Sequence, residues 1–212
     1  MANYIKIILR IFLLLLFSFL TLGCASFKPA NIDETTGQFP ASAEVDKQYI
    51  KIYQPLAGIK EANYVYLLAR SPYGNDKFYS FMKDALIKIG FKKVYSRKEL
   101  SQLVIKSGLS TYITDLSDPI SLNNLAKATG PFIILDSNVF PVADVVFRFD
   151  VQVIEPLSGD TYLEISRIRT NWLDMDKEIN YPILNVIKQW HDESAKLPYE
   201  KHNAKMPKEG TI

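Results

Sequence analysis

Cysteine occurs once in these 212 residues, histidine twice and glycine nine times. A single cysteine rules out an intrachain disulfide, so the fold has to stand on its apolar core. Nucleophilic catalysis usually sets a serine or cysteine beside a base, most often histidine. His191 and His202 lie at the end of a helical stretch and in a polar tail, no G-x-S-x-G elbow occurs, and both histidines read as solvated surface residues. The few glycines never form a phosphate-cradling G-x-x-x-x-G-K-[ST] loop. An excess of charge is missing too, with 25 Lys and Arg against 23 Asp and Glu. A near-neutral chain without a basic run lacks the clustered cations that neutralise nucleic-acid phosphates or bind anionic lipid.

What the chain does have begins at its start. Lys6 and Arg10 are the only charges before residue 24, and residues 11–22 form an apolar run broken only by Ser18 and Thr21. Twelve helical residues span about 18 Å, short of a hydrocarbon core of about 30 Å. That length suits a signal h-region better than a membrane span; an uncleaved anchor reaching back to Tyr4 is the alternative. Gly23-Cys24 closes the run, and the segment resembles the lipobox of bacterial lipoproteins, with Thr21 where leucine is usual. The resemblance implies removal of residues 1–23, acylation (palmitate included) on Cys24 as the new first residue, and, with Ala25 rather than Asp next, sorting to the outer membrane facing the periplasm. Without Lys6 and Arg10 the remaining chain carries 23 basic and 23 acidic side chains.

Residues 24–47 read as the lipidated cysteine and a flexible tether, punctuated by Pro29, Gly37 and Pro40, with an end-to-end distance of roughly 25–30 Å. The alternative is an arm packed on the domain. Residues 48–193 read as one α+β domain, and residues 194–212 as a disordered tail. Within the domain, 49–53 alternates like an edge strand and 64–69 like a stronger one. Phe78, Phe81, Met82, Ala85, Leu86 and Ile89 make a helical stripe stopped by Gly90. A short strand over 91–95 leads to Ser96-Arg97-Lys98-Glu99, a capping box opening a second helix. A loop over 109–119, a helix from Ser121 to Gly130 and a buried strand over 132–135 follow. Residues 145–153 and 162–168 form a hairpin around the turn at 156–160, with a phase shift near Arg167 and Ile168 that marks a bulge. Pro182 opens a last helix presenting Ile183, Val186, Ile187 and Trp190. The order is β-α-β-α-α-β-β-β-α: one mixed sheet with helices packed on it.

Candidate chemistry is sparse. Asp174, Asp176 and Glu178 alternate before the last helix, but lack EF-hand spacing and suit a helix start, so no metal is expected. The 71–75 loop joins a strand to a helix N-terminus, a place where anions bind, yet reads as a plain turn. No cofactor is expected. Tyr64, Tyr66, Tyr73 and Tyr79 crowd one stretch and are the candidate partner surface, since exposed tyrosines suit interfaces.

Between residues 62 and 190 the pattern resembles a group of envelope proteins. These are the curli-secretion lipoproteins, the lipoprotein activators of penicillin-binding proteins, and the N-terminal domain of the Tol-system propeller protein. The matching segments are Leu86 to Gly90, Val94 to Leu103, Leu125 to Phe132, Ile133 to Asp136 and Val153 to Asp160; Pro131-Phe132 stands where Ala-Asp is usual, and Ser158 where Thr is. The resemblance implies a non-enzymatic accessory or adaptor protein that binds a component of an envelope assembly, secretion or cell-wall machine. A ring- or pore-forming secretion subunit is the second reading and an envelope hydrolase the third.

Overall fold

A computed structural model describes residues 29–198 apart from positions 63, 73–74, 144–145 and 172–175. Gly23, Cys24, Tyr73, Asp174 and His202 therefore lie outside the described residues. Along the chain come β1 (Ile50–Tyr53), β2 (Val65–Arg70), α1 (Asn75–Ile89), β3 (Val94–Tyr95), α2 (Arg97–Lys106), α3 (Pro119–Thr129), β4 (Ile133–Ala143), β5 (Val146–Ile154), β6 (Thr161–Asn171) and α4 (Tyr181–Ser194). The six strands form a single mixed sheet in the order β1-β6-β5-β4-β2-β3. This is the expected α+β fold.

β2 pairs in parallel with β3 on one side and β4 on the other. Crossovers of one hand leading to opposite sides of β2 need their helices on opposite faces of the sheet. α1 accordingly packs with the core on the first face, through Phe78, Phe81, Met82, Leu86 and Ile89. α2 and α3 close the second face through Leu100, Val104, Leu122 and Leu125 against Tyr64, Tyr66 and Ile134. β4, β5 and β6 then run as an antiparallel meander. The period-2 pattern of β5 sends Phe147, Phe149, Val151 and Val153 to the first face. There they meet Ile183, Leu184, Ile187 and Trp190 of α4. The expected bulge is present: Phe149 opposes Ile168 and Val151 opposes Ile165, so β6 holds one residue more than β5 between these pairs.

Local signals explain the element starts. Ser96 Oγ accepts from the Glu99 amide at 3.2 Å, and a Glu99 carboxylate oxygen accepts from the Ser96 amide at 2.7 Å, a complete capping box. α3 starts two residues before the expected Ser121, because Asp118 caps it by accepting from the Ser121 amide at 2.7 Å and Pro119 fits the first helical position. β4 runs far past the expected 135, pairing in register with β5 through Pro141 and, after a one-residue shift, at Ala143.

The stretch from Pro29 to Asp46 is not a free tether; it packs on the domain. Asp33 folds it back by accepting from the amides of Thr35 and Thr36. Phe39, 2% exposed, then lies on the ring of Tyr181 at 6.0 Å between centroids. Asn185 of α4 clamps both backbone groups of Phe39, accepting from its amide at 2.7 Å and donating to its carbonyl at 3.0 Å. Lys88 Nζ donates to the Pro29 carbonyl at 2.8 Å, and Tyr181 Oη accepts from the Ala30 amide at 3.1 Å. One buried aromatic is worth about 1.5–3 kcal/mol, which the polar pattern of the segment concealed. At the other end Ser194, expected to open a disordered tail, is fully buried and accepts from the Leu56 amide at 2.9 Å.

Candidate functional site: an uncovered sheet face

The first face of the sheet is covered along its length by α1, α4 and the N-terminal arm. Among the described residues, the second is covered only where α2 and α3 lie over β3, β2 and the start of β4. Beyond Ile134, the described second-face positions of β4, β5 and β6 include Asp136, Asn138, Phe140, Arg148, Asp150, Gln152 and Glu164, none of them buried. Register sets them in rows: Asp136 opposes Gln152, which opposes Glu164; Asn138 opposes Asp150; Phe140 opposes Arg148. The alternation of β5 creates this polar face and the core face together.

Ion pairs fix the charges in place. Arg70 Nη2 reaches both Asp136 oxygens, at 3.0 and 2.8 Å, and Asn138 donates to the same carboxylate at 2.8 Å. Arg148 Nη2 sits 3.0 Å from Asp150 Oδ2, with its guanidinium 4.9 Å over the Phe140 ring. Three buried polar atoms of this region lack a hydrogen-bond partner: Asn138 Oδ1, Arg148 Nε and the Tyr66 hydroxyl. Orphaned polar atoms are uncommon in folded proteins. Tyr66 comes up from beneath, and burial raises its hydroxyl pKa, with the Arg97, Asp115, Asp136 and Arg70 charges around it. The face begins beside the carboxyl end of β2, where Leu68 pairs with Asp136 and Arg70 with Asn138.

Of the tyrosines expected to form a surface, Tyr64 and Tyr66 are buried, Tyr79 is half-buried and Tyr73 lies outside the described residues. Tyr64 and Tyr66 alternate onto the face that α2 and α3 close, and they are 5% and 0% exposed. Tyr64 stacks on Phe132 at 4.7 Å and shares a hydrogen bond with Thr129 Oγ1 at 3.0 Å. Burial pushes its hydroxyl pKa up to about 12. Tyr79 is half-buried and donates to Glu99 Oε2 at 3.0 Å, bracing the capping box. Strand parity accounts for the miss: tyrosine suits an interface and a half-polar core layer equally well.

His191 also departs from expectation. Its side chain is 16% exposed and packs edge-on against Phe91 at 4.6 Å. Burial lowers its pKa, and Asp192, with Oδ1 3.5 Å from Nδ1, offsets only part of that. Among the described residues no group of three or more His, Cys, Asp or Glu could hold a metal ion. Asp176 instead accepts from the Asn180 amide group at 2.9 Å. No helix among the described residues is long and apolar enough to cross a membrane. The chain matches no protein-family model, and no curated protein or solved structure matches it.

Proposed function

We propose that the chain is a lipid-anchored accessory lipoprotein of a bacterial outer membrane, facing the periplasm and without enzymatic activity. Acylated Cys24 fixes its position, and the uncovered face of β4, β5 and β6 binds a protein component of an envelope assembly, secretion or cell-wall machine. The observation that carries this reading is the lone cysteine closing a charged-then-apolar leader. The sequence pattern between residues 62 and 190, which resembles the curli-secretion, penicillin-binding-protein-activator and Tol-propeller group, supports the envelope assignment.

The mechanism is tethered presentation. Since the chain is packed on the domain from Pro29 onward, only four residues separate Cys24 from the fold. The five residue steps from Cys24 to Pro29 reach at most about 18 Å, so anchoring would hold the domain against the bilayer. A partner in the same membrane then meets it at a raised effective concentration, with no new contact needed. The face offers arginines already oriented by carboxylates, a polar arrangement that favours specificity and encounter rate over raw affinity.

Site-specific photocrosslinking in intact cells tests this. A crosslinker at Gln152 should capture one defined partner, and one at Lys98 on α2 should not. Cys24→Ala should reduce the Gln152 adduct while the domain stays folded. Equal capture from both positions would remove the sheet face from the proposal, and an adduct indifferent to Cys24→Ala would reduce the lipid to an address.

A further inference from the structure

At the opposite end of β2 from Arg70, the amino ends of β2 and β3 border a cavity of about 220 Å³. Its walls come from the turn at Ile59–Glu61, the link between α1 and β3, and the end of α4. Lys60, Tyr64, Lys92, Lys93 and His191 are its polar lining residues, and none of the lining side chains among the described residues is acidic. Ile59, Val65 and Phe91, all buried, form an apolar floor.

The basic groups are held there by backbone geometry. Gly90 has φ +124°, and a Cβ at this position would lie 3.2 Å from His191 Cε1. Glycine therefore lets the turn after α1, which leads into Lys92 and Lys93, close against the imidazole. Lys92 Nζ donates to the Lys60 carbonyl at 3.2 Å, drawing the two walls together. On its own helix His191 faces Asp192, whose other oxygen is taken by Lys188 at 2.6 Å. Across the cavity it faces the three lysines. Among the described residues, three lysines and an imidazole thus line one small space, where an entering anion would meet positive charge.

We propose that this cavity binds a small organic anion, a phosphate or carboxylate group on an apolar body. The lysines and His191 hold the charged head, and Ile59, Val65 and Phe91 take the carbon skeleton. Drug-sized ligands fill about 300–1,000 Å³, so the smaller volume here limits the ligand to a head group with a few carbons inside. The anchored N-terminus gives the anion two sources. Pro29 is tied to Lys88, two residues before Gly90, so a lipid on Cys24 would bring phospholipid head groups near the opening. A free metabolite is the other source. The cavity argument itself does not depend on anchoring.

Phenyl phosphate is the probe, titrated into the full chain in neutral detergent at low ionic strength and followed by amide chemical shifts. Saturable shifts at Gly90 to Lys93 and His191 are expected, with inorganic phosphate binding more weakly because it leaves the floor empty. Lys60 and Lys93 are both exposed, so the Lys60→Ala/Lys93→Ala variant keeps the fold. It should lose at least about tenfold in affinity, the worth of one charge-assisted hydrogen bond. Lys98→Ala should lose nothing. Acidification should tighten binding as His191 gains a proton. Competition by phosphatidylglycerol vesicles would assign the head to a lipid, and its absence to a soluble anion. No saturable response, shifts spread over surface lysines generally, equal affinity for phosphate and phenyl phosphate, or an unaffected double variant would each overturn the proposal.

Discussion

Replacing Glu99 with Gln should destabilise the domain at neutral pH, and the penalty should fade as the solution is made acid. Burial alone would raise the Glu99 pKa. Hydrogen bonds from the Ser96 amide, the Lys83 ammonium, the Ser96 hydroxyl and the Tyr79 hydroxyl outweigh that and hold it at about 2 instead of 4.5. The contacts are close: 2.7 Å from Ser96 N, 3.0 Å from Lys83 Nζ and 3.0 Å from Tyr79 Oη. At about 1.4 kcal/mol per pKa unit, a fully sealed carboxylate would gain roughly 3 kcal/mol. The side chain is 40% exposed, and solvent screening reduces this to about 1–1.5 kcal/mol. Because the folded pKa is depressed, the unfolded chain takes up its proton first on acidification. The stabilisation is therefore complete above about pH 4.5 and is lost as pH falls toward 2. Urea unfolding of both proteins at pH 7, 5, 4 and 3 measures the gap. A difference constant across that series, or none at pH 7, would refute the electrostatic account of this cap.

Phe39→Ala should cost about 3–5 kcal/mol, because the ring is buried against Tyr181 and orders the arm that Asn185 clamps. Thermal unfolding reads this, and a loss under about 1 kcal/mol would restore the free tether. Tyr66→Phe should be neutral or stabilising by up to about 1 kcal/mol, since the buried hydroxyl has no partner to lose. A destabilisation of more than about 1 kcal/mol in the same assay would show that the hydroxyl is already satisfied.

Much of the fold was legible in the sequence because the signals were local. The Phe78-to-Ile89 stripe with Gly90 behind it, the Ser96–Glu99 box and the alternation of 147–153 each specify their element without help from distant residues. The phase shift in β6 was readable for the same reason. What stayed hidden was set by pairing and packing. The extension of β4 to Ala143 comes from its register with β5, since Pro141 and the polar residues before it do not advertise a strand. The arm around Phe39 owes its order to Asn185, 146 residues away. Tyr64 and Tyr66 could be placed on a closed face only once α2 and α3 were known to lie over it. The lysine-lined cavity draws on three separated segments, and its one local sign, Lys92-Lys93 just after a helix-stopping glycine, looks like ordinary surface.

The central claim is that Cys24 carries lipid and begins the mature protein. Intact-mass and N-terminal peptide mass spectrometry of the protein purified from its native membrane tests it directly. The account predicts absence of residues 1–23 and a diacylglyceryl group with a further acyl chain on Cys24, both abolished by Cys24→Ala. A chain still beginning at Met1, or an unmodified Cys24 thiol, would contradict it.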